Sequence, residues 1–161
     1  MTDEFFPDIS KYQILKLADG LIGTSPNRDS ALEAIVALLQ ASVPHYDWTG
    51  IYLLGDDGVL SLGPYRGDPT STPRVQIDRG ICGAAIRQKK TIIVPDVHSD
   101  PRYLECTFET KSEIVVPIIS GDEVKGEIDV DSNTVNAFSE EDKNLLEEIS
   151  KKLAPLFDRG D

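Results

Sequence analysis

The chain has 161 residues, 40% of them hydrophobic, and its 28 acidic and 16 basic side chains give a formal net charge of −12. That composition predicts a single globular domain over residues 1–161 with a sizeable core, and the charge argues against nucleic acid and anionic membrane, which need clustered Lys and Arg. There is no long apolar run, and the acidic start MTDEFFPDIS lacks the basic and apolar parts of a signal peptide, so a cytoplasmic protein is expected.

Taken in chain order, Ile14, Leu15, Leu17 and Ala18 follow a helical period over 10–21, with Gly20 and Gly23 closing that segment. A second helix starts near Asp29 or Ser30 and carries Leu32, Ile35, Val36 and Leu39 on one face. WTGIYLL (48–54) and VLSLGPY (59–65) flank the turn GDDG and read as a hairpin. Residues 67–80 are mostly loop, with a short extended piece around 75–77. GICGAAIRQKK suggests a short helix beginning near Cys82, TIIVP (91–95) a buried strand, and residues 96–112 a long loop with one helical turn, a length that points to function. EIVVPIIS (113–120) and VKGEIDVDS (124–132) form a second hairpin across GDEV. Ser139 with Asp142 then resembles a capping box ahead of a helix bearing Leu145, Leu146, Ile149 and Leu153. Sequential strands joined by tight turns, with helices at both ends, make an α+β domain: an antiparallel sheet layered by helices.

The last strand alternates. Val124, Gly126, Ile128 and Val130 share one parity, and Lys125, Glu127, Asp129 and Asp131 share the other. A solvated polar face is the ordinary reading of such a strand; the alternative is that Asp129 and Asp131 hold something cationic. Glu113 opens an otherwise apolar strand, where a carboxylate either caps the loop or faces a pocket. Carboxylates gathered there repel one another unless a metal, protons or an ammonium group compensates them. Calcium and magnesium are disfavoured because a rigid strand face makes a poor wrap-around cage. Two cysteines and two histidines match no zinc pattern, and no metal or cofactor is expected. Trp48 and Tyr52 lie on one strand face and suit either a core or one wall of a small-molecule pocket. His98 has no partner pattern for a triad.

Cysteine is often simply packed. Cys82 follows Gly80 at a helix start, where amides and the helix dipole stabilise a thiolate. Cys106 sits in the long loop between Glu105 and Glu109, which disfavour its thiolate, and Arg102 and Lys111, which offset them. One thiol on a helix start and one on a loop also suit a reaction that ends in a reversible disulfide.

WTGIY, LGPYRG, GICGAA, VPDV, CTFETKSEIVVPI and GEIDVDS, in that order over residues 45–158, resemble a GAF domain of the free methionine-(R)-sulfoxide reductase family. The specific part is Cys106 followed seven residues later by Glu113, then the D-x-D ending in serine; the DV..DPRY phrase is common to many GAF domains. The resemblance implies a six-stranded antiparallel sheet with terminal helices on one face and a loop-covered pocket on the other. It implies that Cys106 lies next to the sulfoxide and that Cys82 forms a disulfide with it, which requires an α-carbon separation within about 7 Å. Glu113, Asp129 and Asp131 fall on the substrate-holding carboxylates, with Trp48 and Tyr52 around the methyl end.

By the same resemblance the substrate is free methionine sulfoxide, the reductant thioredoxin and the assembly a homodimer. Some members carry a third cysteine where this chain has Thr72, and read HIACD where this chain has YLECT, which places the chain with a two-cysteine subtype. Cys106 is the attacking thiol by family geometry, whereas local electrostatics favour Cys82 as the more acidic one. The alternative function is a non-catalytic GAF sensor domain that binds a small ligand.

Overall fold

The hydrophobic periodicities resolve into four helices and six strands within residues 9–104 and 109–158, the part of the chain described by the computed structural model. Helix α1 (Lys11–Thr24) starts under a capping box in which Ser10 Oγ accepts from the Gln13 amide and Gln13 Oε1 accepts from the Ser10 amide. It continues through Gly20 and Gly23, which were expected to close it. Thr24 Oγ1 and Ser25 Oγ donate to the carbonyls of Gly20 and Leu21 at 2.8 and 2.6 Å, satisfying groups that a helix end leaves bare. Helix α2 (Arg28–Ser42) is capped by Asn27, whose Oδ1 accepts from the Ser30 amide.

Strands β1 (Trp48–Leu54), β2 (Val59–Arg66) and β3 (Arg74–Gln76) follow, then helix α3 (Gly80–Gln88), strand β4 (Ile92–Val94), strands β5 (Ser112–Ser120) and β6 (Glu123–Ser132), and helix α4 (Glu140–Leu153). One 3-10 turn, Val97–Ser99, interrupts the long loop. The strands form one antiparallel sheet in the order β3-β2-β1-β6-β5-β4, so β1 and β6 lie side by side at its centre.

Helices α1, α2 and α4 cover one face. Ile14, Ala18, Leu32, Ile35, Leu39, Leu146, Ile149 and Leu153 pack there against Ile51, Ile114, Val116, Ile118, Ile128 and Val130. Each of the Val, Leu and Ile side chains among them stabilises the fold by about 1.5–3 kcal/mol on burial. Lys152 Nζ reaches Asp19 Oδ1 at 2.7 Å and ties α4 to α1, so the terminal helices do pack together. Within the capping box of α4, Asp142 accepts from the Ser139 amide and also from Tyr46 Oη at 2.8 Å and faces His45 Nε2 at 3.0 Å, joining the helix start to the segment before β1. Burial opposes its charge, but those donors hold its carboxyl below the ordinary range. Among the described residues no helix is long and apolar enough to cross a membrane.

The opposite face is covered by α3 as well as by loops. Ile81, Cys82, Ala84, Ala85 and Ile86 pack on Trp48, Tyr52, Leu60, Val75 and Val115. Val124 also joins this side, although its parity in the sequence matched Ile128 and Val130. The reason is a bulge: Ile118 pairs with Gly126 and Ile119 with Val124, leaving Lys125 as the extra residue and inverting the alternation beyond it.

Candidate active site

The alternation of β6 from Glu127 onward sends Ile128 and Val130 into the helix-side core and Glu127, Asp129 and Asp131 to the α3 side. Strand pairing aligns these acids into rows with their neighbours. Asp131 lies between Glu113 of β5 and Trp48 of β1, Asp129 between Val115 and Gly50, and Glu127 between Pro117 and Tyr52. None of the four carboxyl-bearing residues is more than 3% exposed. The polar face of β6 is therefore not solvated, and each acid needs a compensating partner.

Part of that compensation comes from one another. Glu113 hydrogen-bonds to both Asp129 and Asp131, contacts that two carboxyl groups make by sharing a proton. Thr110 Oγ1 donates to Asp131 Oδ2 at 3.5 Å, and Cys82 Sγ donates to Asp129 Oδ2 at 3.4 Å. Asp129 Oδ1, Asp131 Oδ1 and both Glu127 oxygens complete no hydrogen bond. Donor atoms of Cys82, Glu113 and Asp129 lie within 4.8 Å of one another, room enough for one cation between them. With protons already shared inside the set, an ammonium group meets its charge requirement as well as a metal ion does.

The electrostatics follow from burial. Desolvation pushes the carboxyls of Glu127 and Asp131 well above the ordinary range, with the charge of Asp129 adding to both. It also raises Asp129, where hydrogen bonds from Glu113 and Cys82 act in the opposite direction. The folded protein thus binds protons that the unfolded chain has already released above about pH 5, so stability is greatest at and below the ordinary carboxylate range and falls as pH rises through the raised native values. We expect the denaturant midpoint to be higher near about pH 6 than near about pH 8.5. Unfolding curves at the two values check this, and a midpoint that rises with pH would mean that the buried acids are ionised in the native state.

Cys82 is the third residue of α3 rather than its first, and it is buried. The helix start was expected to make it the more acidic thiol. Instead desolvation, followed by the charges of Asp129, Glu127 and Glu113, pushes its thiol well above the usual value. A partial helix charge is outweighed by complete burial beside carboxyl groups.

Trp48 and Tyr52 form a wall whose polar tips are already engaged. The indole Nε1 donates to Asp68 O at 2.9 Å and Tyr52 Oη donates to Thr72 O at 2.7 Å, so both side chains hold the segment between β2 and β3. The indole stacks on Tyr65 at 5.7 Å between centroids and lies over Gly50, where a Cβ would come within 2.4 Å of the ring. Only glycine leaves space for it beside Asp129.

Thr72, Val75, Gly80, Ile81, Cys82, Leu104 and Glu113 enclose an inner cavity of about 10 Å³, which holds at most one water. An outer cleft of about 550 Å³, lined by Val59, Thr72, Arg74, Val75, Gln76, Arg79 and Leu104, adjoins it. Thr72, Val75 and Leu104 belong to both, and Leu104 lies against Gly80, where a Cβ would come within 2.9 Å of its side chain. Grooves of about 580 and 470 Å³ elsewhere are wide but line up none of these buried acids.

Structure thus brings Cys82, Glu113, Asp129, Asp131, Trp48 and Tyr52 to one side of the sheet. Cys106 lies outside the described residues, and with it the separation of the two cysteines. Of the cations expected near Cys106, Arg102 is paired with Asp100 at 2.7 Å. His98 is exposed, edge-on to Tyr103. Glu127 was not singled out from the sequence, although its parity with Asp129 carried the signal.

Residues 27–155 match the GAF domain family. The chain is 37% identical over 138 residues to the free methionine-R-sulfoxide reductase of Saccharomyces cerevisiae, covering 84% of this chain and 76% of the relative. It is 36% identical over 140 residues to GAF domain-containing protein A of Dictyostelium discoideum, with 87% of each covered. Its fold superposes on the free methionine-R-sulfoxide reductase of Neisseria meningitidis in complex with its substrate with a TM-score of 0.87, at 29% identity, covering 92% of this chain and 88% of that one.

Proposed function

The chain belongs to the GAF domain family, and from that premise we propose that it is an oxidoreductase that reduces free L-methionine (R)-sulfoxide to L-methionine with its own thiols. The observation that carries this reading is the set of Glu113, Asp129 and Asp131, buried together beside Cys82, with Glu113 and Cys82 lining a small inner cavity. An amino acid's ammonium group compensates such a set, and in a peptide that ammonium is an amide, so the same acids select the free compound.

In the proposed sequence the Cys106 thiolate attacks the sulfoxide sulfur while a protonated carboxyl among Glu113, Asp129 and Asp131 delivers its proton to the oxygen. Burial raises the proton affinity of Asp129 and Asp131, which favours the protonated form that a general acid needs. Methionine leaves and Cys106 becomes a sulfenic acid. Cys82 then attacks that sulfur, forming the disulfide and releasing water. A buried, weakly acidic thiol suits the resolving role better than the attacking one. Thioredoxin reduces the disulfide and restarts the cycle. Ring faces of Trp48 and Tyr52 border the methyl end of the substrate.

The test is NADPH consumption with thioredoxin and its reductase, supplying free methionine (R)-sulfoxide, the free (S) epimer or a peptide-bound (R)-sulfoxide. Turnover is expected with the free (R) form alone. No turnover with any of the three, from folded and reduced protein, would make the chain a ligand-binding GAF domain instead.

A further inference from the structure

An ammonium group accounts for the buried acids but not for the sulfur set among them. Cys82 Sγ, an oxygen of Glu113 and an oxygen of Asp129 come from three elements, α3, β5 and β6, and lie within 4.8 Å of one another. Cys82 Sγ and Asp129 Oδ2 are 3.4 Å apart. Zinc bonds to sulfur at about 2.3 Å and to carboxylate oxygen at about 2.0–2.2 Å, so a tetrahedral site holds two such ligands about 3.5 Å apart. The observed separation is close to that edge, and Glu113 joins it by a side-chain adjustment of about 1 Å.

Two further observations point to a bound cation. Asp129 and Asp131 are each 1% exposed, yet Oδ1 of each completes no hydrogen bond among the described residues. A carboxylate oxygen buried without a donor is costly unless a cation takes that place. The inner cavity of about 10 Å³ is lined by Cys82 and Glu113, two of the three ligands, and has room for the single water that fills a fourth position. Thiolate disfavours magnesium, calcium and manganese, carboxylates disfavour copper(I), and zinc accepts both. No wrap-around cage is needed, because zinc is content with four ligands. The positions 82, 113 and 129 are too far apart in the chain for a short motif to announce them.

We propose that Cys82, Glu113 and Asp129 form a zinc site, which one Zn²⁺ occupies in the reduced protein with a water as fourth ligand. As the ion enters, the thiol proton and the proton shared by Glu113 and Asp129 leave to solvent, and nothing is oxidised or reduced. Zinc and the substrate ammonium compete for the same acids. A Cys82 sulfur bonded to zinc cannot attack the sulfenic sulfur of Cys106, so zinc holds the enzyme off, and a Cys82 already in a disulfide has no thiolate with which to retain the ion. This inhibitory role rests on the reductase reading above; the site itself does not.

Reduced protein freed of small thiols is titrated with Co²⁺, which reports a thiolate ligand by charge-transfer absorbance in the near ultraviolet and four-coordination by intense visible bands. Both signals are expected, saturating at one equivalent per chain, abolished by one equivalent of Zn²⁺ and unaffected by about a thousandfold excess of Mg²⁺. Cys106→Ser leaves Cys82 as the single thiol of the chain and should give the same spectrum, which decides the matter even if Cys82→Ser fails to fold. Folded Cys82→Ser should lose the sulfur band, and Asp129→Asn should weaken zinc binding at least about tenfold in competition with a chromophoric chelator. Absence of the sulfur band from the unmutated protein, its loss in Cys106→Ser, its survival in Cys82→Ser, or undiminished zinc affinity in Asp129→Asn would overturn the proposal.

One equivalent of free methionine (R)-sulfoxide is then added, without external reductant, to protein with and without one equivalent of Zn²⁺. Zinc is expected to block methionine formation until a chelator is supplied. Undiminished methionine from zinc-loaded protein would overturn the inhibitory role. Absence of methionine from zinc-free protein would instead reject the reductase reading, leaving the cobalt spectra to decide on the site.

Discussion

Replacing Cys106 by serine is expected to lower turnover by on the order of 10³-fold or more, because in the proposed sequence of steps Cys106 supplies the thiolate that attacks sulfur. Cys82→Ser is expected to behave differently. It should release one equivalent of methionine at the normal rate and then stall as the sulfenic acid, to be released again by a small external thiol. The asymmetry follows from the environment of Cys82, buried under α3 and surrounded by Asp129, Glu127 and Glu113, which makes its thiolate the costlier of the two to form in the resting protein. Rapid quench with a count of methionine per protein checks both variants. A full equivalent from Cys106→Ser and none from Cys82→Ser would exchange the two roles.

Asp129→Asn is expected to lower kcat/KM by about 10²- to 10⁴-fold, the factor that follows from leaving a buried cation without its carboxylate partner, about 3–5 kcal/mol. Asp129 is central in three respects. It occupies the middle strand opposite Gly50, it accepts from Cys82 Sγ, and it hydrogen-bonds to Glu113. Asparagine preserves its shape and can still accept through its side-chain oxygen from the thiol, so the loss reports charge rather than collapse. The thermal midpoint should not fall, since a carboxyl with an unpartnered oxygen is being removed from a buried site. Steady-state kinetics with free methionine (R)-sulfoxide, together with a melting curve, provide the check. A loss below about threefold would take Asp129 out of substrate binding and leave it as a partner of Cys82 alone.

Much of the architecture was legible from local signals. Two hairpins announced themselves by turn residues between apolar runs, the Ser139 and Asp142 cap lies at the predicted helix start, and β1 has the predicted bounds. These are properties of neighbouring residues, and neighbouring residues report them. Errors arose where a distant or unforeseen contact decided the outcome. Helix α1 passed its two glycines because side-chain hydroxyls satisfied its end, and Val124 changed faces because a bulge at Lys125 shifted the register.

The site divides in the same way. Sequence by itself determined that Glu127, Asp129 and Asp131 share a face, since strand parity is local, and resemblance placed Glu113, Trp48 and Tyr52 with them. It could not determine whether that face meets water. Only the tertiary structure decided this, by laying α3 over the face and pairing β5 and β1 on either side of β6, which turned a stripe of acids into a desolvated, proton-sharing set. The same burial reversed the expectation for Cys82. A helix N-terminus is visible in sequence, but the dielectric around it and the carboxyl groups opposite belong to residues up to 47 positions away in the chain, and at such short range in a dry interior they prevail over the dipole.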